Sequence, residues 1–482
     1  MSELLLRGFL LSLVLLAFDA QAADILIRNA NIVDVKTGEV LARRSILIHG
    51  DRIQSIAPSI QPTHNAQIVD ARGKYVIPGL WDMHVHLWYK QNQFPMFLAW
   101  GVTGVRDMGS NLDQVKRWRA EIKSGDLLGP HIETCGPPVD GTPSDDPKLP
   151  ITLVRTPAEA RTAYDHLEQD LNVDFIKILS HLPRDAYFAL IERARKWGLP
   201  VAGHVPDSVT VDEAITARQN SMEHLMGVLL SCSSEEQKIR PLRALAMEQK
   251  DGKALAGYAE RVLVTFDPTK ASTLFERMAR YSSYQVPTLV MWRRNTYADA
   301  DDVVHDPRLR FIPAAIRKDW DDPREIKKNI PESTMGLVSH QYERLAWVVA
   351  QMQRQGVPIM AGTDTGDPYT FPGYDLHREL QLLVKAGLTP AQALRSATLT
   401  PAEYLDSDES LGSVGQGKMA DLVFLDADPL KDIRNTQRIS ALMLGGKYLS
   451  RAKLDSMLQG GRQAASSARR RASSRRRDSR TR

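Results

Sequence analysis

Short apolar runs broken by Gly, Asp and Asn mark both ends of the chain, whereas its long middle alternates such runs with helical stretches. Near the start, Ile25–Val35, Ser45–Ala57 and Gln67–Val76 read as antiparallel strands joined by hairpins. The same texture returns late, in Asp421–Leu425 and Ile439–Leu449. Between them, eight short runs have the character of buried strands: Leu80–Leu87, Gly104–Met108, His131–Cys135, Asp174–Leu179, Val201–Val205, Ser221–Leu225, Pro287–Trp292 and Pro358–Thr363. Buried strands alternating with helices specify a parallel α/β fold, and eight of them close a (β/α)₈ TIM barrel. A polar residue stands at or near the C-terminal end of most of these runs, where such barrels carry their active sites. Two stretches interrupt the rhythm. Ser233–Ser283 reads as mainly helical, and Arg293–Pro331 as charged, irregular and placed to overhang the barrel mouth after strand seven.

The first residues follow another pattern. Arg7 and the amino terminus give a positive start, Gly8 to Phe18 form an apolar run, and Ala20-Gln21-Ala22 supplies a small-x-small cleavage site. A run of eleven residues falls short of the about 20 that span a bilayer. Residues 1–22 therefore read as a secretory signal peptide, with an uncleaved anchor as the alternative. Cleavage leaves no transmembrane span and implies a periplasmic or secreted protein.

At 482 residues, 43% hydrophobic and 25% charged, the chain has material for a large core and no sign of a repeat array. Its net charge of +4 is set by the tail. Arg462 to Arg482 hold nine arginines and one aspartate, so the rest of the chain is near −4. The Ser-, Ala- and Arg-rich stretch 456–482 has no apolar period and reads as disordered. It is either a polybasic patch for anionic lipid or nucleic acid, or a solvated appendage. The second reading is adopted, so no specific nucleic-acid partner is expected. Cys135 and Cys232 are the only cysteines. They are free to pair in an oxidising compartment, but two distant cysteines do not make a disulfide framework.

The chemistry concentrates at the strand ends. In Gly79-Leu80-Trp81-Asp82-Met83-His84-Val85-His86, the two histidines sit at i and i+2, so both side chains leave one face of a strand. Two adjacent imidazoles make half of a metal shell, although paired histidines without metal are commoner. Lys177 lies within the apolar strand Val173–Ile178. Either its head reaches solvent or a carboxylate, or burial lowers its pKa until the neutral amine captures carbon dioxide as a carbamate. His204 ends Val201-Ala202-Gly203-His204, His224 ends Ser221-Met222-Glu223-His224, and Asp364 ends Met360-Ala361-Gly362-Thr363-Asp364. Each alone suits a core or capping role. Six such residues in order, on strands one, four, five, six and eight, are hard to obtain by chance.

On these residues the chain resembles the amidohydrolase superfamily, in the branch of prolidase-like and imidazolonepropionase-like proteins, from residue 24 to about 450. Ala386-Gly387-Leu388-Thr389-Pro390 through Ala397-Thr398, and Gly412 through Gly417-Lys418-Met419-Ala420-Asp421-Leu422-Val423, carry the resemblance further. It implies that His84, His86 and Asp364 hold one metal, that His204 and His224 hold a second, and that a carboxylated Lys177 bridges both. It also implies a small composite β-sandwich built from both chain ends. The resulting plan is a signal peptide (1–22), the N-terminal part of the sandwich (24–75), the barrel (76–410), the C-terminal part of the sandwich (411–455) and the basic tail (456–482). Two departures from the family pattern stand out. Asp207 occupies the position three after His204 where single-metal members carry glutamate, and Lys177 is present where they lack it. Val205 and Pro206 follow His204 where prolidase-like members often have an aromatic residue.

The expected function is hydrolysis of an amide or peptide-like C–N bond in a small substrate, such as a dipeptide or N-acyl amino acid, by a hydroxide bridging two divalent ions. Asp364 is the expected catalytic proton carrier. Zinc suits the nitrogen- and oxygen-rich shell, as do manganese, iron and cobalt. The partner is then a small molecule, and a homo-oligomer is compatible with the chain. A mononuclear cyclic-amide hydrolase or deaminase of the imidazolonepropionase type is the first alternative. A non-catalytic periplasmic binding protein is the second.

Overall fold

The structure, a computed structural model, describes residues 24–460 apart from positions 145, 147, 250, 319, 321, 323 and 325–331. The expected signal peptide and the arginine-rich stretch from Arg462 lie outside the described residues.

The β-rich ends of the chain meet in one eight-stranded sheet. Ile25–Asp34 pairs antiparallel with Glu39–His49, which pairs in turn with Arg52–Ala57. On its other side Ile25–Asp34 runs parallel to Gln67–Asp70 and Tyr75–Pro78. Tyr75–Pro78 then meets Leu422–Leu425 antiparallel, and Ile439–Leu444 and Lys447–Ser450 complete the sheet. Alternate residues such as Ile25, Ile27, Ile46, Ile48, Leu422 and Phe424 build a hydrophobic core belonging to this sheet, as strand alternation requires.

The middle of the chain is α/β with parallel strands. Leu80–Val85, Val102–Asp107 and His131–Thr134 form one group; Val139–Asp140, Thr152–Leu153, Ile176–Ile178 and Val201–Gly203 a second; Ser221–Glu223 and Tyr284–Val286 a third. Backbone hydrogen bonds link the groups: Asp174 N to Thr134 O (3.0 Å), Asn220 N to Val201 O (2.8 Å), Gln285 N to Pro358 O (2.9 Å) and Met83 N to Ala361 O (3.0 Å). Helices separate the strands. Leu112–Ser124 shows why they form where they do: the Asn111 side chain accepts from the Gln114 N–H, Gly125 ends the helix at φ 83°, and Val115 and Trp118 turn inward. Ser233–Ser283, expected to be mainly helical, contains the helices Glu236–Glu248, Gly252–Val264 and Pro268–Arg280.

Three expectations need correction. The seventh strand is Tyr284–Val286, and most of Pro287–Trp292 lies in a helix, Leu289–Thr296. The chain turns at Thr288 (φ 47°), and the first helical N–H groups, of Leu289 and Val290, donate to the buried Glu379 carboxyl at 3.0 and 2.7 Å. That acceptor satisfies a helix start which a continued strand would have lacked. Pro358–Thr363 makes a single parallel bridge, at Ile359, instead of a continuous ladder. Finally, the tail expected from 456 begins inside a helix spanning 451–460, where Leu454 and Leu458 are buried in the main core. Cys135 and Cys232 are buried and free. Among the described residues no helix is long and apolar enough to cross a membrane.

Candidate metal centre

All six residues singled out in the sequence converge near the C-terminal ends of the parallel strands. His84 lies on Leu80–Val85 and is wholly buried; His86 follows that strand and Lys177 sits mid-strand in Ile176–Ile178. His84 Nε2 and His86 Nε2 lie 3.4 and 3.6 Å from Asp364 Oδ1. Lys177 Nζ is 3.3 Å from His84 Nε2. The ring of His224 is 4.4 Å from that of His84 and 5.2 Å from that of His204, centre to centre. Ligand atoms of His84, His224 and Asp364 all fall within 4.8 Å of one another.

Each histidine is held from behind by its other nitrogen. His84 Nδ1 donates to Glu223 (2.9 Å) and His86 Nδ1 to the Gly109 carbonyl (2.8 Å). His204 Nδ1 meets Ser180 Oγ, and His224 Nδ1 meets Thr288 Oγ1, both at 2.8 Å. Pinning Nδ1 fixes the ring and turns Nε2 toward the centre, as outer partners of metal-binding histidines do. The backbone contributes as well. His224 and Asp364 both adopt φ near 60°, a conformation disfavoured for residues with a side chain and concentrated at functional sites. Asp364 is held there by its N–H, which donates to the His84 carbonyl at 2.8 Å.

Burial sets the proton affinities. Loss of solvent, with Lys177 and His224 nearby, keeps His84 well below the ordinary imidazole range, and His204 is depressed by burial and its neighbour His224. His224 is lowered chiefly by burial. Burial also lowers Lys177, only partly offset by Asp364. Burial alone pushes Asp364 upward, but His224, His84 and His86 outweigh it and hold the carboxyl well below its usual value. His86 is drawn down by burial, yet its contact with Asp364 prevails and the net shift is upward. Burial thus favours neutral His84, His204 and His224 beside an ionised Asp364, while His86 holds its proton more firmly through that carboxylate and the proton affinity of Lys177 is reduced. Imidazoles, a carboxylate and a buried amine form a donor set suited to divalent cations.

The sequence reading missed the support beneath His84. Glu223 is fully buried and accepts from Arg106 Nη2 at 2.8 Å and from Ser221 Oγ at 2.7 Å. Arg106, equally buried, also donates to the Met83 carbonyl and to Ser221 Oγ. Burial pushes Glu223 up, but Arg106 and His84 overcome it and bring its pKa to about 2. A charged residue standing inside each of two apolar strands, Arg106 in one and Glu223 in the other, was the available signal. Ser180 and Thr288 carried none.

The sequence profile of the Amidohydrolase family matches residues 75–449. The chain belongs to that family, a class of metal-dependent hydrolases acting on carbon–nitrogen bonds. Among solved structures, it is similar to a protein described as a prolidase from Bifidobacterium longum, with 25% identity, a TM-score of 0.65, and coverage of 92% of this chain and 99% of that one. A bottromycin amidohydrolase superposes with TM-score 0.72 at 22% identity, covering 92% and 91%. A Xaa-Pro dipeptidase with methionine bound in its active site gives 0.63 at 22%, covering 89% and 100%. These last two speak for the fold alone. Shorter stretches match an adenine deaminase from Mesorhizobium japonicum (38% over 77 residues) and a dihydroorotase from Staphylococcus aureus (45% over 62 residues). Those matches span 16% and 13% of this chain and only 13% and 14% of the curated proteins.

Proposed function

We propose that this protein hydrolyses an amide or peptide-like C–N bond in a small substrate, such as a dipeptide or N-acyl amino acid, at a two-metal centre. The carrying observation is the convergence of four histidines, each with Nδ1 already engaged, on Asp364 and Lys177. In this reading His84, His86 and Asp364 hold one divalent ion, His204 and His224 hold the other, and Lys177, as a carbamate, joins them. Zinc fits the donor set. Lys177 is only 3% exposed, and burial works against its ammonium form, with Asp364 offsetting only part of that cost. A buried ammonium that is only partly compensated is costly. Loss of the proton and capture of carbon dioxide, with release of a second proton, replaces that charge by one negative charge shared between two oxygens.

Bound metal supplies Lewis acidity and a more acidic water. The protein supplies the rest. As the water oxygen bonds to the scissile carbonyl carbon, one of its protons passes to Asp364. Asp364 then delivers that proton to the nitrogen, and the C–N bond breaks to give acid and amine. Its carboxyl stays ionised at neutral pH, as a proton acceptor must be. For the architecture we propose a closed (β/α)₈ barrel over 76–410, which the linking hydrogen bonds support, and a composite β-sandwich from 24–75 and 411–455, which the two-ended sheet supports. A periplasmic or secreted location rests on the pattern of residues 1–22.

The test is reconstitution with zinc and bicarbonate followed by elemental analysis and assay on dipeptides and N-acyl amino acids. Two metal equivalents and turnover are expected. Lys177→Ala should lose at least one metal and recover partly when short carboxylic acids are added. A second reading is a mononuclear cyclic-amide hydrolase or deaminase; the short stretches shared with a deaminase and a dihydroorotase bear on its substrate class and not on its metal count. A stable value near one metal in fully active enzyme would select it.

A further inference from the structure

Beside the metal centre lies a cavity of about 130 Å³. Its inner wall starts one residue past two of the site histidines, with Val205 after His204 and Leu225 after His224. Trp292, which closes it on the side of the seventh strand, donates from Nε1 to the His224 carbonyl at 2.9 Å. The outer wall comes from the helical stretch between strands six and seven, through Ala259, Val262 and Leu263 on Gly252–Val264, and from Leu345. The lining is therefore mostly aliphatic, with one indole, the phenol ring of Tyr258 and the amide of Gln341. The charged groups that reach it are already ion-paired, Arg243 with Asp207 and Arg240 with Glu236 at 2.7 Å, and only the buried Arg240 Nε among them is left without a hydrogen-bond partner. Such a space favours an uncharged apolar group, because an incoming carboxylate or ammonium would have to break one of these pairs or go unpaired. Apolar cavities of about 150 Å³ hold a benzene ring, so a branched four- or five-carbon group or a phenyl ring fits here.

We propose that this cavity is the specificity pocket that receives an uncharged aliphatic or aromatic side group of the substrate, of leucyl or phenylalanyl size. The proposal rests on the hydrolase reading above. It places selectivity on the loops after strands five and six and on the inserted helices, instead of on Arg293–Pro331.

Two measurements on the full chain test it and keep it separable from that reading. In the first, the zinc-loaded enzyme is assayed on Gly-Gly, Leu-Gly, Gly-Leu, Glu-Gly and Gly-Glu. One leucyl position should exceed its glycyl counterpart by about tenfold or more in kcat/KM, as burial of a leucine side chain requires, and the glutamyl analogue should show no gain. Ala259→Phe, which fills the space, should collapse the leucyl-to-glycyl ratio about tenfold, whereas Leu263→Ala, which enlarges it, should move the preference toward phenylalanyl substrates. Opposite movements from two variants cannot come from a general loss of fold. In the second, ligand-observed NMR follows 4-methylpentanamide and acetamide binding to the metal-free protein. The branched amide should bind, acetamide should not, and Ala259→Phe should weaken the branched amide about tenfold. Hydrolysis without leucyl preference, or equal binding of the two amides, overturns the pocket. Binding that responds to Ala259→Phe in a protein that cleaves no amide supports the pocket and overturns the hydrolase reading alone.

Discussion

The two sides of the metal centre are held in different ways. On the side of strand one, His84 is braced by a buried carboxylate, Glu223, itself clamped by the buried Arg106. On the side of strands five and six, His204 and His224 lean on the neutral hydroxyls of Ser180 and Thr288. A carboxylate partner raises the basicity of the ring it holds and cannot rotate away while its other oxygen is bound to a guanidinium, whereas a hydroxyl can turn or exchange with water. The first side is thus the more rigid anchor, and the second a softer position able to tolerate changes of ligand during turnover.

The largest effect should come from Asp364, which stands against His84 and His86 on the rigid side. Asp364→Asn keeps one oxygen ligand and removes the proton acceptor. The catalytic constant should fall about 10²–10⁴-fold while metal content mostly survives. Near-normal turnover in a metal-replete variant would contradict the proton-carrying role. Next comes Glu223→Gln. It leaves Arg106 and His84 facing a neutral amide, and metal affinity should drop about 10–100-fold, with a loss of roughly 3–5 kcal/mol in stability from the unpaired buried charge. Chelator competition and melting curves read the two effects separately, and unchanged affinity would erase the contrast between the two sides.

Ser180→Ala and Thr288→Val should cost less, about two- to tenfold in metal affinity each, because only a neutral hydrogen bond is lost. Losses as large as that of Glu223→Gln would show both sides to be equally rigid. A separate effect, on stability and not on metal binding, concerns Glu379, whose carboxyl accepts from the N–H groups just after Thr288. Burial pushes it up to about 8. The folded protein therefore holds this proton between the ordinary glutamate value and about 8, while the unfolded chain has already released it. Stability falls as pH rises through that window, by at most about 1.4 kcal/mol per pH unit. Glu379→Gln should flatten this slope in melting temperature between pH 5 and 8, and parallel slopes in both proteins would remove the assignment.

Much of this was legible in the chain itself, because metal ligands on strands must end short apolar runs. His84 and His86 at i and i+2, His204 and His224 after their runs, Asp364 after the last run and Lys177 inside one are local patterns, and all six meet in space. The seventh strand was misplaced because only three residues, Tyr284–Val286, pair there, with Gln285 between them. The longer apolar run that follows is captured as a helix by Glu379, some distance away in sequence. Arg106 and Glu223 explain the limit best. Each looks like a misplaced charge in a strand until the fold brings them to 2.8 Å. Nor does any local pattern reveal that Ser180 and Thr288 back their histidines, since a hydroxyl acquires that role only through its position.

The two-ended sheet also imposes a timetable on synthesis. Tyr75–Pro78 pairs with Leu422–Leu425, so its partner strand leaves the ribosome only after the whole α/β middle of the chain. At about 5–20 residues per second, the about 340 intervening residues take roughly 20–70 seconds to appear. Throughout that interval the nascent edge displays free N–H and C=O groups, the template on which wrong strands pair. Aggregation during production is then governed by elongation speed and by whatever shields that edge, more than by the stability of the finished enzyme.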